Sequence, residues 1–228
     1  KKNFPTWQND YLTLLAQRDL PAWGLPAKPQ MTMRFFKMLA ACHGQIWNAS
    51  RMGSSMGLSY HTVNQYLDYL QNAYLIFVLR PFHANIRKRL VKSPKIFWRD
   101  SGLLHALLGV RSKENLLAEP WVGASWEGWA LGQIISTLRA AGESFDAYYF
   151  RTSDGSEIDL VLEFSKGRWA FEFKLTSTPS PDDMKRLNAA ADLIKADKRI
   201  LISKTDKLDC SPNFISGNIR QCLNQILV

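Results

Sequence analysis

EIDLVLEFSKGRWAFEFKL, residues 157–175, carries the pattern from which the rest of the fold is inferred. Residues 157–164 alternate polar and apolar side chains at strand period, residues 165–168 have turn composition, and residues 169–175 alternate again. The two runs are predicted to pair as an antiparallel hairpin. Because successive side chains of a strand point to opposite faces, one face is apolar and the other holds Asp159, Glu172 and Lys174.

The register of this hairpin is predicted from its turn. With Lys166 and Gly167 as the two loop residues, Asp159 lies opposite Lys174, and Asp159 and Glu172 become diagonal neighbours. Same-face diagonal pairs lie roughly 7–8 Å apart, so two carboxylates can converge on one metal ion. A second interpretation stays open at this point: a half-buried hairpin in which Asp159 and Lys174 form a cross-strand ion pair.

Glu127 favours the metal interpretation. Residues 126–138 have helical periodicity, and Glu127 begins the apolar stripe formed by Ala130, Leu131, Ile134 and Leu138. An unpaired buried carboxylate is costly, so Glu127 is expected to have a partner. A metal ion or another cation supplies one, and a position near the helix N-terminus also stabilises the charge.

Length and composition predict two domains in a longer polypeptide. The 228 residues are 46% hydrophobic, enough for one sizeable core or two modest ones. The chain begins with Lys1, and residues 1–7 lack the apolar core of a signal peptide, so a preceding segment is expected. No apolar run approaches the roughly 20 residues that cross a bilayer, which predicts a soluble protein without membrane association.

The three cysteines predict a reducing compartment. Cys42, Cys210 and Cys222 are odd in number and widely spaced, which argues against a disulfide framework and against a structural zinc site. A cytoplasmic location is therefore expected.

Positive charge is concentrated in the first half of the chain. Residues 1–120 contain 16 Lys and Arg against 6 Asp and Glu, whereas residues 121–228 contain 13 against 14. This asymmetry indicates a polyanion-binding module joined to a second module whose carboxylates serve a different function. The alternative is a solvated basic surface.

Residues 31–112 are predicted to form a winged helix-turn-helix. Thr32 is expected to cap a helix ending near Ile46, Ser50 to open a short helix ending near Gly57, and Ser59 to cap a third. A short helix, a glycine turn and a capped helix make a helix-turn-helix. Strands at 74–79 and 95–98 follow, and the loop between them has the cations expected of a wing that contacts phosphates.

The predicted nucleic-acid-binding residues fall into two groups. The third helix supplies His61, Thr62, Asn64 and Gln65, and the loop supplies Arg87, Lys88, Arg89 and Lys92. A winged helix used as a protein-docking or spacer module is the alternative.

The second half has the element order helix, three strands, helix and strand. The helix covers 121–140, strands cover 147–151 and the hairpin, a helix covers 181–196, and a strand covers 199–203. This order resembles the core of the restriction-endonuclease-like PD-(D/E)xK superfamily, with Glu127 on the first helix, Asp159 on the second strand and Glu172-Phe173-Lys174 on the third. The predicted fold class is α/β (α+β), with a winged helix-turn-helix followed by an αβββαβ endonuclease-like domain.

Nearly the whole chain resembles the C-terminal region of bacterial and archaeal AAA-type ATPases that carry a domain of unknown function. The matching stretches are residues 58–63, 94–103, 123–127, 149–151, 157–161 and 171–174. The resemblance implies three parts: residues 1–30 as a remnant of the ATPase lid or linker, 31–112 as the winged helix, and 113–228 as the nuclease-like domain. No Gly-x-x-x-x-Gly-Lys-Ser/Thr segment occurs, so ATP binding is expected in the missing N-terminal module.

The resemblance also implies a chemistry. Asp159 and Glu172 would hold Mg²⁺ or Mn²⁺, Glu127 would be a further ligand, and Lys174 would position the attacking water. The expected function is metal-dependent phosphodiester hydrolysis on nucleic acid, with DNA as the expected partner, and homo-oligomerisation is implied by the ATPase module. The alternative is a catalytically inactive, nuclease-like interaction or regulatory domain. Asp100 is predicted to cap the helix that begins near Gly102.

Overall fold

The structure, a computed structural model, describes residues 4–83 and 90–227. They form two compact units. The first contains the described residues up to Val78 together with Lys95–Gly128, and the second contains those from Leu79 to Pro94 and from Trp129 onward. Helices and a mixed β-sheet give the protein an α+β fold, as predicted. The predicted boundaries at residues 30 and 112 stay predictions.

The first unit is mainly helical. Its helices are α1 (Phe4–Leu14), a π-helical turn (Leu15–Asp19), α2 (Leu20–Ala22), α3 (Pro29–Ala41), α4 (Ala49–Met56), α5 (Tyr60–Asn72), α6 (Ser101–Leu107) and α7 (Lys113–Ala118). Strand β1 (Ile76–Pro81) begins in this unit and ends in the second, and its neighbour is β2 (Lys95–Trp98). Its core includes Phe35 and Phe36 of α3 with Val63 and Leu70 of α5.

The helix ends confirm several capping predictions. The Ser59 hydroxyl accepts the backbone N–H of Thr62 at the start of α5. Gly57 ends α4 with a φ of 71°, in the left-handed region that glycine adopts without strain. Asp100 caps α6 by accepting the N–H of Leu103 at 2.8 Å.

Two other helix starts were predicted wrongly. Helix α3 begins at Pro29 rather than after Thr32, because proline is well suited to the first turn of a helix. The buried Thr32 hydroxyl donates to the carbonyl of Lys28 instead of capping. Helix α4 begins at Ala49, and its cap is Asn48.

The second unit is built on a mixed sheet. Helix α8 (Val122–Ala140) begins in the first unit and ends in this one. The other elements are β3 (Asp146–Arg151), β4 (Glu157–Phe164), β5 (Gly167–Phe173), α9 (Pro181–Leu193), β6 (Lys198–Ser203), β7 (Asp209–Ser211), β8 (Phe214–Asn218) and α10 (Ile219–Ile226). From α8 to β6 the element order is the predicted one, whereas β7, β8 and α10 had not been predicted.

Parallel and antiparallel pairs share the sheet of the second unit. The strand order is β1-β3-β4-β5-β6-β8-β7. Strand β4 pairs antiparallel with β3 and β5, and β5, β6 and β8 run parallel. The hairpin β4–β5 is therefore central, and neither of its strands is an edge.

The predicted hairpin register is wrong by two residues. Leu160 lies opposite Phe171, and Phe164 lies opposite Gly167, so the two loop residues are Ser165 and Lys166. Gly167 has a φ of 146°, and a Cβ there would lie 2.5 Å from Oδ2 of Asp197. Glycine is thus required at the first position of β5, because this position lies against Asp197, which is 30 residues later in the chain. A shift of two residues leaves every side chain on its predicted face.

Both faces of the hairpin are covered. Val161 and Ala170, on the face of Asp159, are fully buried and belong to a core cluster that includes Leu187 and Ala191 of α9. The interpretation as a half-buried hairpin with one wet face is therefore wrong. The carboxylates of this face lie beside an apolar cluster rather than in open solvent.

Candidate functional site

Asp159 is fixed by the strand beside it. Its side chain is only 9% exposed, and its Oδ2 accepts the backbone N–H of Phe173 at 2.9 Å. Extending the register by one pair beyond Leu160 and Phe171 places Asp159 opposite Glu172. The two carboxylates are therefore direct cross-strand neighbours rather than the predicted diagonal pair, and like charges in that position repel.

Lys174 and Glu172 form an ion pair. The Nζ of Lys174 lies 2.5 Å from Oε1 of Glu172, and the exposed fractions of the two side chains are 34% and 13%. The structure thus brings together Asp159, Glu172 and Lys174. In the structure Asp159 lies opposite Glu172 rather than opposite Lys174. Lys174, which directly follows β5, pairs with Glu172 of the same strand.

The environment of Glu172 disfavours its charged form. Burial, the charge of Asp159 and the charge of Glu157 raise the pKa of Glu172 to about 7, against the opposing effect of Lys174. At neutral pH a large fraction of the Glu172 carboxyl is therefore protonated in the absence of a cation. A cation placed between Glu172 and Asp159 would stabilise the ionised form.

Lys174 keeps its charge. Burial acts to lower its pKa, but the hydrogen bond and charge of Glu172, with the charges of Asp159 and Asp183, outweigh burial and raise the pKa of Lys174 above its ordinary value. The adjacent carboxylates therefore oppose any role of Lys174 as a general base. Lys174 is a hydrogen-bond donor and a positive charge at this site.

Glu127 has a lysine as its cationic partner. It lies in the first unit, where its Oε1 receives a hydrogen bond of 3.1 Å from Nζ of Lys95, and the two side chains are 16% and 6% exposed. The expectation that this carboxylate needs a cation is confirmed. Its role as a further metal ligand stays a prediction.

The donor set suits a hard divalent cation. Carboxylate oxygens are the ligands that Mg²⁺ and Mn²⁺ prefer, and Mg²⁺ is often bound by one or two carboxylates with water completing the shell. Within residues 4–83 and 90–227 no group of three or more His, Cys, Asp or Glu residues is placed to hold a metal ion. Asp159 and Glu172 would therefore be the two protein carboxylates of such a site.

The predicted recognition helix presents only part of its polar face. His61 and Gln65 are exposed, and the ring of His61 lies 3.8 Å from that of Tyr60. The Thr62 hydroxyl is hydrogen-bonded to Ser59 at the cap, and the Asn64 side chain accepts the indole N–H of Trp47 at 2.9 Å. Thr62 and Asn64 therefore have roles inside the fold.

The predicted wing is described only in part. Arg87, Lys88 and Arg89 lie outside the described residues, and Lys92 is exposed. Their contact with phosphates stays a prediction.

Two residues near the site had not been predicted. Glu157 lies two residues before Asp159 on β4 and faces Arg151 at 3.4 Å. Strand alternation was a sufficient signal for it, since residues i and i+2 share a face. Asp183 lies in the first turn of α9, and its negative charge helps to raise the pKa of Lys174. No local sequence signal indicated this interaction.

Buried polar contacts also fix the interior of the first unit. His43 accepts the backbone N–H of Trp98 through Nδ1 at 3.0 Å, and its Nε2 lies 3.2 Å from the carbonyl of Ala124. Burial lowers the pKa of His43 to about 4. His43 is therefore a neutral structural residue.

Comparison with known families covers both halves of the chain. The family described as "Domain of unknown function (DUF8612)" matches residues 1–114, half of the sequence. The chain belongs to this family. A second family, "Domain of unknown function (DUF4143)", matches residues 122–216, and this domain is typically a C-terminal region of AAA-ATPase-like proteins. The DUF4143 match contains the hairpin carboxylates and Lys174.

Relatives of this DUF8612 chain occur in mycobacteria. It is 40% identical over 174 residues to Uncharacterized protein Mb2031c of Mycobacterium bovis (strain ATCC BAA-935 / AF2122/97) and to Uncharacterized protein Rv2008c of Mycobacterium tuberculosis (strain ATCC 25618 / H37Rv). Each match covers 76% of this chain and 38% of the relative, so the chain spans little more than a third of their length. No solved structure matches the chain significantly. Among the described residues no helix has both the length and the apolar character needed to span a membrane.

Proposed function

We propose that this chain is the nucleic-acid-associated C-terminal module of an AAA-type ATPase, and that its second unit hydrolyses phosphodiester bonds with a divalent cation. The observation that carries the proposal is the cross-strand pair of carboxylates, the buried Asp159 and the mostly buried Glu172, with Lys174 hydrogen-bonded to Glu172. The DUF4143 match supports the connection to an ATPase. The excess of cations in residues 1–120 supports nucleic acid, with DNA as the expected form.

Asp159 and Glu172 would hold the cation. The N–H of Phe173 fixes one carboxylate oxygen of Asp159, so the carboxylate is oriented before any ligand arrives. Glu172 would bind as the ionised form, which a nearby cation favours over the protonated one. Held by these two carboxylates, Mg²⁺ or Mn²⁺ would supply Lewis-acid chemistry, which polarises phosphoryl oxygens and activates water.

Lys174 would act on the substrate as a fixed positive charge. Its ammonium group is held beside Glu172 and remains protonated. There it can donate to a non-bridging phosphate oxygen and offset the negative charge that develops during hydrolysis. It also orients the attacking water by hydrogen bonding.

The test combines metal binding with cleavage. Mn²⁺ binding is measured by calorimetry on the wild type and on the double variant Asp159→Ala, Glu172→Ala, and nicking of supercoiled and single-stranded DNA is measured with both. We expect the double variant to lose metal binding and to lose roughly 100-fold or more of the cleavage rate. Lys174→Ala should keep metal binding and lose cleavage.

Glu163→Gln is the matched control. Glu163 is a carboxylate on the same strand and the same face as Asp159, but it pairs with Arg168 and is one-third exposed. Its variant should bind metal and cleave DNA as the wild type does. Absence of Mn²⁺ binding to the wild type at millimolar concentration would remove the hydrolytic part of the proposal.

A catalytically inactive interaction domain is the second candidate. It is favoured by the absence, within the described residues, of any group of three or more His, Cys, Asp or Glu residues placed to hold a metal ion. In that case the Lys174–Glu172 pair is structural, and regulation of the ATPase module is the function. Comparing ATP turnover in the full-length protein with and without this chain tests that role.

A further inference from the structure

A cavity of about 360 Å³ opens at the tip of the β4–β5 hairpin, within the second unit. Its walls include Glu143, Ser144, Phe164, Ser165, Lys166 and Trp169. This tip cavity is separate from the carboxylate site. Phe164 and Trp169 lie on the opposite face of the hairpin from Asp159, and five residues of β4, about 17 Å of strand, separate Phe164 from Asp159.

Two aromatic rings, those of Phe164 and Trp169, form the apolar wall of the tip cavity, and a third, that of Phe145, lies beside Phe164 outside the lining. The rings of Phe164 and Trp169 have centroids 4.5 Å apart, and the ring of Phe145 lies 5.4 Å from that of Phe164. All three side chains are only partly buried. Partly exposed aromatic rings bind the flat faces of nucleobases, and they do so for every base because each has a π-face.

Cations surround this row of rings. Nζ of Lys198 lies 4.6 Å from the centroid of Trp169, and the guanidinium of Arg139 lies 5.6 Å from that of Phe145. Lys166, at the very tip, is exposed, and within the described part of the chain it makes no ion pair. Three positive charges beside an aromatic wall complement a base that is attached to a phosphate.

The polar wall adds a preference among bases. Glu143 is exposed at the cavity, and a carboxylate accepts hydrogen bonds but donates none. It therefore suits a base with an exocyclic amino group, such as cytosine or adenine, better than thymine, whose single Watson–Crick donor, N3–H, is flanked by two carbonyl acceptors that repel a carboxylate. The hydroxyls of Ser144 and Ser165 can serve either kind of base.

The tip that carries these residues is held in place. The backbone N–H of Arg168 donates to Oδ2 of Asp197 at 2.7 Å, and the Arg168 guanidinium donates to the carbonyl of Ile194 at 3.1 Å. Gly167 approaches Asp197 too closely for any side chain. The cavity wall is therefore ordered before a ligand arrives, which lowers the entropic cost of binding.

From these contacts we propose that the tip cavity binds single-stranded nucleic acid, holding one amino-bearing base against Phe164 and Trp169 with a neighbouring phosphate at Lys166. This site goes beyond the proposed hydrolysis and does not require it. The strand would bind here whether or not the carboxylate site holds a cation.

Fluorescence anisotropy tests the site on the full chain in EDTA, which prevents metal-dependent cleavage. The probes are labelled homopolymers of dC, dA and dT, each about 12 nucleotides long, a typical length for one binding site. We expect dC and dA to bind more tightly than dT. Trp169→Ala should weaken dC binding about 10-fold, whereas Trp169→Phe, which keeps a ring, should recover most of that loss.

Two further variants separate the roles of charge and hydrogen bonding. Lys166→Ala should weaken all three probes alike and reduce the dependence of affinity on salt. Glu143→Gln should narrow the difference between dC and dT, because an amide can both donate and accept. Trp23→Ala and Lys207→Ala, at exposed positions outside the lining of the cavity, are the controls and should bind as the wild type does.

Three results would overturn the inference. The first is unchanged affinity in folded Trp169→Ala, with folding checked by circular dichroism. The second is equal affinity for dC and dT in the wild type. The third is binding of dCMP as tight as that of the dC strand, which would make the cavity a mononucleotide site. Strand binding is measured in EDTA, where the carboxylate site holds no cation, so failure of the hydrolytic proposal leaves this one standing.

Discussion

Replacing Glu172 with glutamine is expected to remove a pH-dependent loss of stability from the protein without metal. Burial, together with the charges of Asp159 and Glu157, raises the pKa of Glu172 to about 7 in the fold, whereas its ordinary value is 4.5. Between these two values the folded state binds more protons than the unfolded state. The contribution of Glu172 to stability is therefore greatest below about pH 4.5, falls as the pH rises, and levels off above about pH 7.

The size of this effect follows from the two pKa values. At about 1.4 kcal/mol per pKa unit, the difference between 4.5 and about 7 corresponds to about 3 kcal/mol of lost stability. The Glu172 side chain is only 13% exposed, so solvent screening reduces the effect little. Glutamine cannot ionise, and the variant should lack this part of the pH dependence.

Urea unfolding at several pH values from about 5 to about 8, in EDTA, measures the effect. The difference in unfolding free energy between Glu172→Gln and the wild type should rise with pH by up to about 3 kcal/mol. Glu163→Gln, on the same strand, should follow the wild type at every pH. Adding Mn²⁺ should stabilise the wild type most at the highest pH and should stabilise Glu172→Gln much less.

The reasoning would be refuted by parallel pH profiles for the wild type and Glu172→Gln. That result would mean that Glu172 ionises in the fold as it does in the unfolded chain. The cross-strand repulsion with Asp159, and with it the main argument for a cation at this position, would then be absent.

Two further predictions concern the first unit. Lys95→Met should destabilise the protein by about 3 kcal/mol, because it leaves the charge of Glu127 buried without its lysine. Adding Glu127→Gln should recover much of this loss, as measured by urea unfolding. Absence of recovery would contradict the pairing of Lys95 with Glu127. Burial lowers the pKa of His43 to about 4. Between about pH 6.5 and about pH 4 the unfolded chain therefore protonates His43 while the folded protein does not, and the contribution of His43 to stability falls as the pH drops through this range. His43→Gln should show a smaller acid-induced loss in urea midpoints, and an unchanged loss would argue against a neutral, buried His43.

Local sequence patterns predicted the elements from α8 to β6, but not β7, β8 and α10 and not the exact register of the hairpin. Alternation of apolar and polar residues set the faces of β4 and β5, and these faces are as predicted. Placement of the two-residue loop depended on Gly167, which the turn composition assigned to the loop. Its contact with Asp197 requires glycine at the start of β5 instead, and a residue 30 positions away gives no local signal.

For Glu127 the need for a cationic partner could be predicted from the sequence, but the identity of the partner could not. A carboxylate on an apolar helical stripe was expected to need a cation, because an unpaired buried charge is unfavourable. The structure supplies that cation as Lys95, on β2 and 32 residues earlier. The physical requirement was predictable from the helix alone. The identity of the partner depends on tertiary packing, which the pattern of one helix does not contain.

The corrected register strengthens the case for a cation at the hairpin. A slip of one residue would have moved Asp159 to the other face, but a slip of two keeps the face and changes only the neighbour. The neighbour is now Glu172 itself, directly across the strand pair, where like charges destabilise the sheet. Lys174 reduces this repulsion but does not cancel it, since the pKa of Glu172 remains raised to about 7. The repulsion between the Asp159 and Glu172 carboxylates therefore remains, and a divalent cation bound between them would relieve it.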